Sequence, residues 1–400
     1  MGQRPTTWVR DDARTASGQS GQAGPGGQTG QTRQSGDPAA LASRSPRIAV
    51  VRAGAIGDTV MATPLARAIR LTYPDAYLVF LCARSACDVV RYNPHVDEII
   101  PLAARHLPAW LSLEKARIAR RLAELRLDAM VVLESHPSFT ELARHSRATR
   151  IISYGALPGV PGAELAHFDP AKHSIENNLR AAEGLGVRPA GLEMELHYPK
   201  EFDDRMRERL RLAGVPEGAR VVGIHAGWGG RKHSVEQTRL KSWPPDRFAR
   251  IARSIVTGEE AHVILTGAPV DRPLTEFIAR ESGVPCLNLA GELSLLELAA
   301  LIRRLDLYVS IDSGPAHMAA ALGTPLVALW GPAILEQTRP ISSGGPVRIL
   351  REFVPCAPCY GTPLMKSCRD NICMKRIETG RVEETVHESL AVAGANPRRY

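Results

Sequence analysis

Three short stretches combine glycine with small polar or charged residues in a way that could hold an anion and move a proton. The first is Arg52-Ala53-Gly54-Ala55-Ile56-Gly57-Asp58-Thr59. It follows the apolar run Arg47-Ile48-Ala49-Val50-Val51 and leads into a helical stripe of Val60, Leu65, Ala68, Ile69 and Leu71. Gly54 and Gly57 in a strand-to-helix turn let backbone amides face outward at a helix N-terminus, where anions are favoured. Asp58 would sit at the first helical turn, either as a proton acceptor or simply, like Thr59, as a helix cap. The third glycine of a dinucleotide fingerprint is missing, so the turn does not specify a nicotinamide cofactor.

The second stretch is His225-Ala226-Gly227-Trp228-Gly229-Gly230, followed by Lys241-Ser242-Trp243-Pro244. A glycine loop with Gly227 at its centre, then a lysine just before a helix, could hold a diphosphate: amides from the loop and a point charge from Lys241. A surface loop with a solvated lysine would read the same way. The third is Ser310-Ile311-Asp312-Ser313-Gly314-Pro315-Ala316-His317. Small polar groups at the carboxyl end of a parallel strand are where α/β sheets place ligands. Ser313 and the amides near Gly314 could bind phosphate; equally, Asp312 or Ser313 could cap the helix and His317 could be a satisfied core residue.

These stretches need strands to present them. Tyr77–Leu81, Glu98–Ile100 and Ala129–Leu133 read as further buried strands, with a charged helix from about Ser112 to Arg126. The alternation restarts at Val221–Ile224 and continues through strands at His262–Leu265, Leu307–Ser310 and Leu326–Leu329, with helices at Pro245–Val256, Leu295–Leu305 and His317–Leu322. Alternating strands and helices imply parallel sheets covered on both faces, here two α/β halves with a cleft between them. The expected organisation is a disordered Gly/Gln/Ser/Thr-rich tail over 1–45, an N-terminal α/β half over 46–190, a linker region over 191–219 and a C-terminal α/β half over 220–385, the two halves being the acceptor and donor domains under the resemblance described below.

Composition narrows the partners. The 400 residues exceed the size at which one core usually stops growing. The formal charge of +8 comes from 50 basic and 42 acidic residues, interleaved as in Arg205-Met206-Arg207-Glu208-Arg209, the pattern of a solvated helix face. With 5% aromatics and no basic–aromatic alternation, nucleic acid is not the expected partner. Anionic small molecules or a phosphate-bearing lipid surface suit the charge better. No window reaches the ~18 apolar residues of a membrane span, and no apolar stretch follows Arg4 and Arg10 as a secretory signal would require. Seven cysteines do not make a fully paired disulfide framework, so a cytoplasmic location is expected.

The stretches R-A-G-A-I-G-D-T-V-M-A-T-P-L-A-R-A-I, K-S-W-P-P-D-R-F and D-S-G-P-A-H-M-A-A-A-L-G-T-P-L-V-A-L-W-G-P resemble the signature blocks of the ADP-heptose:lipopolysaccharide heptosyltransferases, glycosyltransferase family 9, in order and spacing. The similarity covers about 47 to 380. It implies a GT-B architecture, two Rossmann-like domains facing across a cleft, and an inverting transfer of a sugar, heptose by the family's usual cargo, from a nucleotide-diphosphate donor such as ADP-heptose to a glycan or glycolipid such as lipopolysaccharide core. No cofactor is required. On the matching positions, the resemblance makes Asp58 the general base, Lys241 the phosphate-binding lysine, and Asp312, Ser313, Gly314 and His317 the block that meets donor diphosphate and ribose. Asp271, in Gly267-Ala268-Pro269-Val270-Asp271, falls near the nucleoside. The chemistry agrees: an ionised carboxylate can take the acceptor hydroxyl proton, and a lysine, amides and a helix N-terminus can steady the leaving diphosphate. Base and clamp would lie in different domains, so closure would join them.

Glu134, Ser135 and His136 follow a strand and could line an acceptor site, or form a turn with an incidental charge. A lipid-linked acceptor would place the enzyme at the inner face of the cytoplasmic membrane, where a basic surface aids docking. Two features depart from the family pattern: the tail, and the long polar stretch Arg231–Arg239 before Lys241. Cys356-x2-Cys359-x8-Cys368-x4-Cys373 could hold a structural zinc or iron. A related group, the autotransporter heptosyltransferases, binds iron with four more widely spaced cysteines; buried thiols or a redox-sensitive pair are the other readings. A nucleotide-sugar epimerase or a non-catalytic nucleotide-sugar binding module on the same architecture are the competing functions.

Overall fold

The computed structural model describes residues 8–9, 41, 45–103, 112–229 and 240–395. The polar stretch Arg231–Arg239 lies outside the described residues. So does most of the N-terminal tail, of which Leu41 is buried and Trp8–Val9 (β1) pairs antiparallel with residues 98 and 99.

Contacts divide the chain into two compact units. The first comprises Met1–Ala55, Pro64–Asp169 and Ile175–Gly191; the second comprises Ile56–Thr63, Pro170–Ser174 and Leu192–Tyr400. Unit 1 holds a seven-stranded sheet, adding Arg47–Arg52 (β2), Tyr77–Ala83 (β3), Glu98–Leu102 (β4), Ala129–Val132 (β5), Arg150–Ser153 (β6) and Ala163–Leu165 (β7) to β1. The order is β1-β4-β3-β2-β5-β6-β7, parallel except for β1. Unit 2 holds a wholly parallel sheet of Val221–His225 (β8), His262–Thr266 (β9), Cys286–Asn288 (β10), Leu307–Ile311 (β11), Leu326–Trp330 (β12) and Val347–Arg351 (β13). Its order is β10-β9-β8-β11-β12-β13.

Leaving β1 aside, both sheets run outward from their first strand to one edge and then resume on its other side. Each therefore has one switch point where successive crossovers diverge and open a crevice beyond the strand ends: β2 against β5 in unit 1, β8 against β11 in unit 2. The first, second and third candidate stretches begin at the ends of β2, β8 and β11.

Central strands are continuous apolar runs because helices cover both faces. In unit 1, Ala49, Val51, Val79, Leu81, Met130 and Val132 pack under Ile118, Leu122, Phe139 and Leu142. In unit 2, Val222, Ile224, Val263, Leu265, Val309 and Val327 pack under Phe248, Ile251, Ile255, Val382 and Val386. Local signals set the helix starts. Ser112 Oγ accepts from Lys115 N (3.2 Å) to open Leu113–Glu124, and Ser294 and Glu297 form a capping box ahead of Leu295–Arg304. Of the segment expected as a linker, Lys200–Leu212 is a helix of unit 2.

Candidate functional site

The helix Ile56–Val60, although it continues from β2, belongs by contacts to unit 2 and packs on the helix Gly314–Ala321. The approach is close enough to require glycine on both sides. A Cβ on Gly57 would lie 2.8 Å from His317 Cδ2, and one on Gly314 would lie 2.8 Å from Ile56 Cβ. Two helix N-terminal turns thus abut, and Asp58, half-buried in the first of them, lies within electrostatic reach of His317. Asp58 and the D-S-G block accordingly share one unit, whereas the sequence reading placed base and clamp in separate domains.

On the other side of the D-S-G block, Lys241 Nζ donates to Asp312 Oδ2 at 2.5 Å, both side chains being 9% exposed. The ammonium also lies 4.2 Å from the ring centroid of Tyr360 and 5.6 Å from that of Trp228. Asp312 N is held by Leu329 O at the end of β12, and Ser313 Oγ pairs with Ser310 Oγ at 3.0 Å. Ser313, in extended backbone, precedes the helix without a side-chain capping bond. Lys241, Asp312, Ser313, Gly314 and His317 therefore converge at the unit 2 switch point.

Gly227 and Asp271 form a neighbouring cluster. Asp271 Oδ1 accepts from Gly229 N (3.3 Å) and Oδ2 from Ala268 N (2.8 Å), so its buried carboxylate staples the loop after β8 to the loop after β9. A Cβ on Gly227 would fall 2.2 Å from Asp271 Cγ, which leaves glycine as the residue that fits. In unit 1, Gly54 follows β2, and Glu134 and His136 follow β5 across that unit's switch point. Glu134 Oε1 stands 3.8 Å from Arg52 Nη1. Exposed His136 accepts from Ser138 N (3.1 Å) through Nδ1, at the start of Ser138–Ser146.

Two buried histidines border this region. Burial pushes the His317 imidazole down to about 4, opposed by Asp312 and Asp58 and assisted by His173 and Lys241. Its Nδ1 is a buried polar atom without a hydrogen-bond partner. Burial also lowers His225, with Asp271 opposing; its Nδ1 meets Thr266 Oγ1 at 3.0 Å, and that hydroxyl meets Tyr308 Oη at 2.8 Å. Both rings are neutral at pH 7. An unfolded chain protonates them near 6.5 while the folded one resists, so their stabilisation is complete above pH 6.5 and lost as pH falls towards 4. The expected loss is on the order of 3 kcal/mol for His317 at full extent. Urea unfolding between pH 7 and 4.5 should show this decline, and His317→Gln should flatten part of it.

The four C-terminal cysteines divide between apolar clusters. Cys359 and Cys368 pack with Leu240 and Met365, while Cys373 joins the main unit 2 core with Cys356 against it. Burial and the neighbouring thiols push Cys373 up to about 11 and raise Cys359. Among the described residues, no group of three or more His, Cys, Asp or Glu is disposed to hold a metal ion. Tyr360, Trp228 as a cation partner, and His173, whose Nε2 lies 2.9 Å from Arg339 O, went unmarked in the sequence. A lone tyrosine or histidine in a loop carries no spacing signal.

Two doubly wound units, each with a switch point carrying candidate residues, have the architecture of the GT-B fold of glycosyltransferases. Residues 229–364 match the model of glycosyltransferase family 9 (heptosyltransferase). A lipooligosaccharide heptosyltransferase 2 of Haemophilus influenzae is 39% identical over 303 residues, 72% of this chain and 84% of the relative. The chain belongs to glycosyltransferase family 9. Among solved structures, a family 9 glycosyltransferase of Veillonella parvula superposes with a TM-score of 0.74 at 20% identity, covering 87% of this chain and 98% of that one. The Escherichia coli ADP-heptose LPS heptosyltransferase II gives 0.69 at 21% identity, covering 87% and 99%. Among the described residues, no helix is long and apolar enough to cross a membrane.

Proposed function

We propose that this enzyme transfers heptose, with inversion, from ADP-heptose to a lipopolysaccharide-core acceptor on the cytoplasmic side of the inner membrane. The observation that carries the reading is the packing of the Asp58 turn on the D-S-G-P-A-H helix, next to the buried Lys241–Asp312 pair. Asp58 takes the acceptor hydroxyl proton as the oxygen attacks the anomeric carbon. The ADP leaving group departs from the opposite face, its growing charge met by Lys241 and the amides at Gly314. Neutral His317, with Nδ1 lacking a protein partner, offers that nitrogen to the donor. Asp271 and Gly227 shape the nucleoside side, and Gly54, Glu134 and His136 lie on the acceptor side. In this reading unit 1 serves the acceptor, and unit 2, which takes in the Asp58 turn and most of the segment expected as a linker, serves the donor.

The heptose and lipopolysaccharide assignments take their support from the names of the relatives and the 39% identity. The reaction needs no cofactor in this reading, because fixed positive groups steady the leaving phosphate, and the four cysteines serve as packing thiols. Elemental analysis of the purified protein tests the last point, and stoichiometric zinc or iron would make them ligands.

The decisive experiment incubates the full chain with ADP-heptose, with and without a heptose-deficient lipopolysaccharide core, and follows ADP and the acceptor mass. The expected result is acceptor-dependent ADP release with a gain of one heptose. A new sugar-nucleotide isomer formed without acceptor would make the protein an epimerase. Tight donor binding with no turnover on any core would make it a binding module.

A further inference from the structure

Lysine is a flexible cation, and a lysine that must meet a phosphate at a fixed place needs its backbone and its ammonium both held. The residues that hold Lys241 come from more than a hundred positions downstream, on the cysteine-bearing segment between β13 and the C-terminal helix Thr379–Ala395. Asn371 Nδ2 donates to Leu240 O (3.3 Å) and Ser242 O (2.7 Å), so one amide fixes the carbonyls on either side of the lysine. Cys359, Met365 and Cys368 close over the Leu240 side chain. Trp243 Nε1 donates to Ile377 O at 3.0 Å, and Arg247 Nη1 donates to Lys375 O and Ile377 O at 2.6 and 2.8 Å. The amides of Cys359 and Tyr360 both donate to Pro332 O at 2.9 Å, tethering the loop just beyond β12. With that tether the Tyr360 ring stands 4.2 Å from Lys241 Nζ, the same ammonium that donates to Asp312 Oδ2.

We propose that Tyr360 and Asn371 are positioning residues for donor binding, acting through Lys241. Asn371 fixes the backbone from which the lysine springs. The Tyr360 face holds the ammonium at the mouth of the site while Asp312 holds it from within. This also gives the cysteines a place in function without a metal: they are the apolar filling of a segment whose task is to seat one lysine. The proposal rests on Lys241 being the donor-site cation, and the experiment separates the two.

The full-length protein and its Lys241→Ala, Tyr360→Phe, Tyr360→Leu and Asn371→Ala variants are titrated with ADP by calorimetry, assayed for KM and kcat, and melted. Lys241→Ala should weaken ADP by at least about tenfold, the loss of a charge-assisted contact. Tyr360→Leu should weaken it roughly 3- to 10-fold, as expected for a lost cation–π contact, and Tyr360→Phe, which keeps the ring, should stay within about twofold. Asn371→Ala should raise the donor KM with a smaller change in kcat. Tyr360 is 40% exposed, so Tyr360→Leu should leave the melting temperature nearly unchanged and keeps the test valid if Asn371→Ala folds poorly. ADP binding insensitive to Lys241→Ala would overturn the donor reading of the lysine. Sensitivity to Lys241→Ala with normal binding in Tyr360→Leu and Asn371→Ala would overturn the positioning role alone. A Tyr360→Phe loss equal to that of Tyr360→Leu would do the same, since the ring face would then not be what acts.

Discussion

Asp58→Asn is expected to lower kcat by about 10²- to 10⁴-fold, the usual contribution of a positioned general base, while ADP-heptose binding changes little. Asparagine keeps the size and the hydrogen-bonding oxygen of aspartate, so the first turn of Ile56–Val60 and its packing against His317 should survive. What it cannot do is accept a proton at the moment of attack. Calorimetry with the donor and single-turnover transfer separate the two effects. If donor affinity collapses and turnover of bound donor stays normal, Asp58 is a donor ligand and the base must be sought elsewhere. The contact between Gly57 and His317 sharpens the expectation, because it fixes the backbone on which Asp58 is carried to within van der Waals distance of the D-S-G helix.

The strands that carry the candidate stretches were legible because central parallel strands are buried on both faces and read as unbroken apolar runs. β2, β8 and β11 are of this kind, and each ends in the glycine or small-residue turn that marks a switch point. The outer strands were not. β7 is Ala-Glu-Leu, β10 is Cys-Leu-Asn and β13 is Val-Arg-Ile-Leu-Arg, each exposed or half-exposed at a sheet edge where no apolar run is needed. β6, inside the sheet, is only four residues long and begins with arginine. In the site, residue types close in sequence were readable and partners distant in sequence were not. Asp58 and Lys241 stand beside glycine turns that mark them as candidates, and the family blocks give them roles, but nothing near Leu240 says that Asn371 will bind its carbonyl. The assignment of Ile56–Thr63 to unit 2 was equally hidden, since it depends on two glycines 257 positions apart, Gly57 and Gly314, both facing neighbours that tolerate no Cβ.

Lys241→Met should produce two separable losses. Asp312 would be left as a buried carboxylate without its cation, and breaking such a pair typically costs about 3–5 kcal/mol. For a unit of this size that lowers the melting temperature on the order of 10 °C. Transfer should also fall, by about 10²-fold or more, because a fixed charge aimed at the departing diphosphate is gone. A drop in activity alone would not distinguish a catalytic lysine from a structural one, so the comparison needs Asp312→Asn as background. In Asp312→Asn the buried charge is already removed, and adding Lys241→Met no longer strands an anion. Stability in the double variant should therefore recover relative to Lys241→Met, while transfer should fall further than in Asp312→Asn alone. That difference, measured in a background without the buried anion, is the contribution of the ammonium to the reaction, and closing the double-mutant cycle gives its coupling to Asp312. If the double variant transfers sugar as well as Asp312→Asn does, the lysine serves only to neutralise its buried neighbour, and the positive charge at the unit 2 switch point comes from the helix N-terminus alone.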